Sequence, residues 1–134
     1  MPAHFAVTCA LVGLIWTIQV VQYPLFARVG PEAFPAWHAA YTRAITRVVA
    51  PLMLIEVAGA LWLFALLGRR EPAFLVSLAL LALVWISTVF VQVPLHNRLA
   101  RGLDPAVQRR LVRSNWVRTM AWSLRALLLF ILLP

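Results

Sequence analysis

The run AFLVSLALLALVWISTVFV, residues 73–91, contains no charged residue and no alternation of apolar and polar positions. Its length approaches the roughly 20 residues that an α-helix needs to cross about 30 Å of hydrocarbon. At that depth the backbone must bond within its own segment, which a helix achieves and a lone strand does not. Three further apolar stretches, Phe5 to Val21, Val48 to Leu67 and Thr119 to Leu133, repeat the pattern. With their flanks, the spans fall at about residues 5–23, 44–67, 73–94 and 115–133. The expected fold is all-α, a four-helix transmembrane bundle forming one integral membrane domain over residues 1–134.

Composition agrees with that expectation. Of 134 residues, 63% are hydrophobic and 12% charged, far from the half and quarter usual in soluble domains. Mean hydropathy of +0.89 excludes disorder. The net charge of +8 comes from 12 arginines, with no lysine, against 4 acidic residues. These arginines border apolar runs too long for a soluble core, which argues against nucleic acid as a partner and for the lipid bilayer. Cys9 is alone, so no disulfide framework or cysteine metal site exists. Met1-Pro2-Ala3-His4 lacks the basic start of a signal peptide, so the first span is expected to be retained.

Gly30-Pro31 and Asp104-Pro105 each set a helix-capping residue before proline, so the second helix is expected from about Pro31 to Leu67 and the fourth from Pro105 to the C-terminus, both overhanging the membrane. Gly68-Arg69-Arg70-Glu71-Pro72 reads as a tight turn between antiparallel neighbours. At an offset of 70, Leu11, Val21, Gln22, Pro24, Leu25 and Arg28 face identical residues at Leu81, Val91, Gln92, Pro94, Leu95 and Arg98. At an offset of 71, Arg47 and Ala50 face Arg118 and Ala121. The bundle is therefore expected to consist of two similar helical hairpins inserted with the same orientation. Most arginines lie on the two long connections, which places those in the cytoplasm and both termini outside the cell (inner) membrane.

Glu56 and Arg125 are the ionisable residues at bilayer depth, where each costs about 2.5–3.5 kcal/mol without a partner. Counted from Arg47 and Arg118, their depths differ by only about 3 Å, so they are expected to meet as a buried ion pair. Such a pair either fixes helix packing or presents a carboxylate that carries protons or faces a ligand.

A second polar group gathers at the arginine-rich end: Gln22, Tyr23, His38, Tyr41, Arg47, Gln92, His96, Asn97, Asn115 and Arg118. Arginine and asparagine would donate to an anionic or carbonyl-bearing head group, and histidine would accept a proton near neutral pH. The competing reading is interfacial, with arginine on lipid phosphate and amides on neighbouring helices. His4, His38 and His96 show no His-x3-His spacing, so no metal site is expected, and the sequence names no cofactor.

Val93-Pro94-Leu95-His96-Asn97-Arg98-Leu99, then Arg113-Ser114-Asn115-Trp116-Val117-Arg118-Thr119, then Ser123-Leu124, resembles the anthrone oxygenase-like family of small four-span membrane proteins, mainly over the C-terminal third. His96 stands where that family usually has Asn, and Trp116 where His is common. The first half, with Tyr23-Pro24-Leu25-Phe26 and Trp37-His38, looks more like an uncharacterised bacterial branch. The resemblance implies oxidation of a flat hydrophobic phenol or anthrone by O₂. His96 or His38 would serve as the catalytic base, Arg118 and Arg47 would stabilise the anion, and Asn97 and Asn115 would orient it. The leading expectation is a small integral membrane protein that binds a lipophilic aromatic or quinone-like molecule at its Arg/His/Asn-rich end and, as an oxidoreductase, oxidises it. The alternative is a non-catalytic membrane subunit or homo-oligomer that contacts anionic lipid or a partner protein.

Overall fold

Pro2, Pro35, Pro72 and Pro105 each stand in the first turn of a helix, where the missing N–H has no intrahelical partner to lose. In the computed structural model, which describes residues 1–67 and 71–133, they open four segments. These are α1 (Pro2–Arg28), α2 (Phe34–Leu67), α3 (Pro72–Leu99) and α4 (Pro105–Ile131). The expected turn at Gly68-Arg69-Arg70 lies outside the described residues.

Two helix boundaries differ from expectation. Regular α2 begins at Phe34 rather than Pro31, because Pro35 has no N–H to offer the Pro31 carbonyl. Residues 31–33 instead wind as a turn on the Gly30 carbonyl, which accepts from the Ala33 and Phe34 amides. At the other end, α4 stops at Ile131, short of the C-terminus. Its start is as capped as the sequence implies: Asp104 Oδ1 accepts from the Ala106 and Val107 amides at 2.8 and 3.2 Å. Between α3 and α4 the chain turns through Gly102 at φ 147°, a backbone conformation that suits only glycine.

Pro24 and Pro94 have a subtler effect. Neither can donate to the carbonyl four residues back. Immediately before each, at Ile18–Gln22 and Thr88–Gln92, the helix widens into a π turn. Tyr23 N–H donates to the Ile18 carbonyl, and Val93 N–H to the Thr88 carbonyl. These two turns stand 70 residues apart, the same offset that pairs Gln22-x-Pro24-Leu25 with Gln92-x-Pro94-Leu95. Pro51 lies inside α2 and leaves the Arg47 carbonyl without its helical donor.

α4 packs along α1 and α3, and α2 packs along α1. Polar contacts show that α1 and α4 run antiparallel. Trp16 Nε1 donates to Ser123 Oγ (3.0 Å), Asn115 Nδ2 to Gln19 Oε1 (2.9 Å) and Gln108 Nε2 to the Tyr23 carbonyl (3.0 Å). Leu11, Ile15, Phe26, Phe34, Leu99 and Leu111 fill the core. Large apolar side chains such as Leu54, Leu61, Trp62, Phe90 and Ile131 point outward, as a hydrocarbon solvent allows. Residues 2–28, 34–66 and 72–99 are long and apolar enough to cross a membrane. With Arg109, Arg110, Arg113, Arg118 and Arg125 along it, α4 is about 40 Å long but less apolar than those three.

Candidate functional site

Two polar clusters occupy the bundle, and their hydrogen bonding separates their roles. The first joins Glu56 on α2 to Arg125 on α4, with Arg125 Nε 3.0 Å from Glu56 Oε1 and both side chains fully buried. Thr8 Oγ1 also donates to Oε1 (2.9 Å), and Trp122 Nε1 donates to Oε2 (3.0 Å). The other guanidinium nitrogens donate to the Ser77 carbonyl (2.7 Å), Ser77 Oγ (2.6 Å) and His4 Nε2 (2.7 Å). Because arginine only donates, His4 Nε2 accepts and the ring hydrogen sits on Nδ1. That edge lies against Gly59, where a Cβ would stand 2.7 Å from Nδ1. Both carboxylate oxygens are engaged, so this cluster ties all four helices together and offers no ligand a place. The sequence reading placed Glu56 and Arg125 at one depth but missed His4, Thr8, Ser77 and Trp122 as their partners.

The second cluster, at the arginine-rich end, is built where the two π turns end. Tyr23 directly follows the first, and His96 lies one turn beyond the second. Tyr23 Oη stands 2.9 Å from His96 Nε2, and His96 Nδ1 stands 3.0 Å from His38 Nε2 on α2. Phe26, fully buried, sits edge-on to Tyr23, His38, Tyr41 and His96 and holds these rings in position. The Tyr23–His96–His38 chain has two complementary hydrogen arrangements. Either the phenol donates toward His96 and each imidazole passes the donation on, or the order reverses and the phenol oxygen accepts. A proton can therefore be handed between Tyr23 and His38 with no heavy atom moving.

Beside this chain a cavity of about 440 Å³ opens between α2 and α3. Tyr23, His38, Tyr41, Gln92, His96, Asn97 and Arg118 line it, seven members of the polar group gathered from the sequence. Gln22 lies behind the wall, accepting from Tyr41 Oη at 2.7 Å. Asn115 is fully buried and bound to Gln19, away from the cavity, and Arg47 is exposed on α2 and does not line it. Trp85, Thr42, Thr46 and Thr88 on the walls were not among the polar residues gathered from the sequence.

Among the described residues, six buried side-chain polar atoms have no hydrogen-bond partner, and four belong to lining residues: His38 Nδ1, Trp85 Nε1, Gln92 Oε1 and Arg118 Nε. Arg118 is the most consequential. It is 5% exposed, rests over the Trp122 ring at 5.3 Å, and has no carboxylate within ion-pair distance among the described residues. A guanidinium at such a place carries an uncompensated charge, and the chemistry that satisfies it is an oxyanion or an electron-rich carbonyl oxygen. No group of three or more His, Cys, Asp or Glu suited to a metal ion occurs among the described residues. No protein-family model, curated protein or solved structure matches the chain, so the resemblance to anthrone oxygenase-like proteins rests on the residues that carry it.

Proposed function

We propose that the protein is an integral membrane protein of the cell (inner) membrane that binds a lipophilic aromatic, phenol- or quinone-like molecule in the cavity at its arginine-rich end. The observation that carries this reading is Arg118, a buried cation without a counter-ion among the described residues, on the wall of a largely apolar cavity. Its guanidinium would hold the ligand oxygen, Tyr23 and His96 would share the hydroxyl proton, and Trp85 and Met53 would cover the ring. A charge-assisted bond of this kind contributes more than a neutral one, about 1.5–3 kcal/mol.

The same site has the parts for the oxidation that the resemblance implies. His96, relayed by His38, would take the phenolic or anthrone proton, and Arg118 would stabilise the resulting anion. For an anthrone, O₂ would then convert the ring CH₂ to C=O, with one oxygen atom retained and the other released as water. In the membrane, four spans arranged as two like-oriented hairpins, α1–α2 and α3–α4, agree with the matched π turns and with the packing of α2 on α1 and α4 on α3. The exposed Arg101, Arg109, Arg110 and Arg113 suit anionic lipid on the cytoplasmic side and leave both termini outside.

The test is titration of the nanodisc-held protein with a hydroxynaphthoquinone, which is anionic near neutral pH, following the quenching of tryptophan fluorescence. Saturable quenching is expected, weakened about tenfold or more by Arg118→Leu, the equivalent of about 1.4 kcal/mol. Non-saturable quenching, or equal affinity in Arg118→Leu, would overturn the proposal.

A further inference from the structure

A second cavity of about 510 Å³ lies in the same α2–α3 seam, toward the opposite end of the bundle. Its walls are Val57, Ala60, Leu61 and Phe64 on α2 and Leu78, Leu81 and Ala82 on α3, all apolar, with Leu54 and Trp85 at the end nearer the polar cavity. Leu54 and Trp85 line both cavities, so the polar chamber and the apolar slot adjoin each other. The seam exists because α2 leans on α1 while α3 leans on α4.

Resting on the head-group reading above, we infer that the ligand is an amphiphile with a long hydrocarbon tail, whose aromatic head lies at Arg118 and whose tail occupies the α2–α3 slot. Three observations point to this occupant. First, the slot adjoins a buried guanidinium whose Nε has no hydrogen-bond partner among the described residues, so a molecule whose head satisfies Arg118 can extend its remainder along the seam. Second, from His38 to Phe64 the two cavities run along twenty-six residue steps of α2, about 39 Å, enough for a head near the membrane surface and a tail through much of the roughly 30 Å hydrocarbon depth of a bilayer. A tail-free anthrone would leave most of that length to other chains. Third, Leu54, Leu61 and Ala82 on the slot walls are exposed at the outer face of the bundle, so the slot opens sideways and a tail can enter from the lipid without its head crossing water.

Leaving lipid for protein brings the tail little hydrophobic gain, since lipid chains are as apolar as leucine. The gain is in packing and in alignment of the head, and it is read by comparing ligands at equal mole fraction in lipid. The probes are a tail-free hydroxynaphthoquinone and the same ring carrying a tail of several isoprene units, each titrated into nanodiscs holding wild type, Ala82→Phe or Leu61→Trp. Both substitutions fill the slot from exposed positions and leave the polar chamber intact. The tailed probe is expected to bind wild type about tenfold more tightly than the tail-free one, and either filling variant should remove that advantage while leaving tail-free binding unchanged. If the probes bind alike, the slot holds ordinary lipid chains and the inference falls, with the head site intact. If the tailed probe's advantage survives both filling variants, the tail lies elsewhere and the inference also falls. If neither probe binds, the head site fails together with it.

Discussion

Replacing Arg125 with leucine removes four contacts at once: to Glu56 Oε1, to the Ser77 carbonyl, to Ser77 Oγ and to His4 Nε2. Interhelical polar contacts in bilayers average about 0.6 kcal/mol, so the four together set a floor of about 2 kcal/mol. The carboxylate left behind raises the loss. Glu56 would keep Thr8 and Trp122 but lose Arg125, its cation, and breaking a fully buried pair costs about 3–5 kcal/mol. The expected loss is therefore about 2–5 kcal/mol, measured as unfolding free energy in mixed micelles by circular dichroism. Removing both charges in Glu56→Leu plus Arg125→Leu should restore at least about 1 kcal/mol relative to the sum of the single losses, because no orphaned charge remains. A loss below about 1 kcal/mol for Arg125→Leu, with single effects that add to within about 0.5 kcal/mol, would refute the account of this cluster as the tie between the helices.

Gly59→Ala should destabilise by about 1–3 kcal/mol, because its Cβ would stand 2.7 Å from His4 Nδ1, and His4→Ala in the same chain should relieve most of that loss; unfolding in the same micelles measures both. Asp104→Ala should cost about 1 kcal/mol by releasing the Ala106 and Val107 amides, whereas Asp104→Asn should cost less; faster hydrogen exchange confined to the first turn of α4 would locate the effect.

Helical phase made part of this architecture legible and would have made more so. Arg118, Trp122 and Arg125 follow one another at spacings of four and three, so one face of α4 carries both the cavity cation and the ion pair. His38 and Glu56 are eighteen residues apart, five full turns, and share the inner face of α2. By the same count Arg47, nine residues before Glu56, falls on the opposite face, which is why it stands exposed and outside the cavity despite its suitable depth. Asn115 lies ten residues before Arg125 on a face that meets Gln19 of α1, and only the packing of those helices decides that it serves the core. His4 escaped notice because its partner Arg125 is 121 residues away and nothing local marks it. Pro24 and Pro94 were legible as a matched pair in the repeat, but whether a helix bends, breaks or widens at a proline depends on the neighbours that receive the freed carbonyls.

The two π turns work as single-residue insertions placed inside otherwise regular spans. Each rotates everything downstream by the angle of one residue, about 100°, relative to an uninterrupted helix. Trimming one residue between Ile18 and Gln22, or between Thr88 and Gln92, would thus leave a span as greasy and nearly as long as before. Tyr23 or His96 would swing away from its counterpart, so the ring-to-ring relay is set by residue counting that hydropathy does not register.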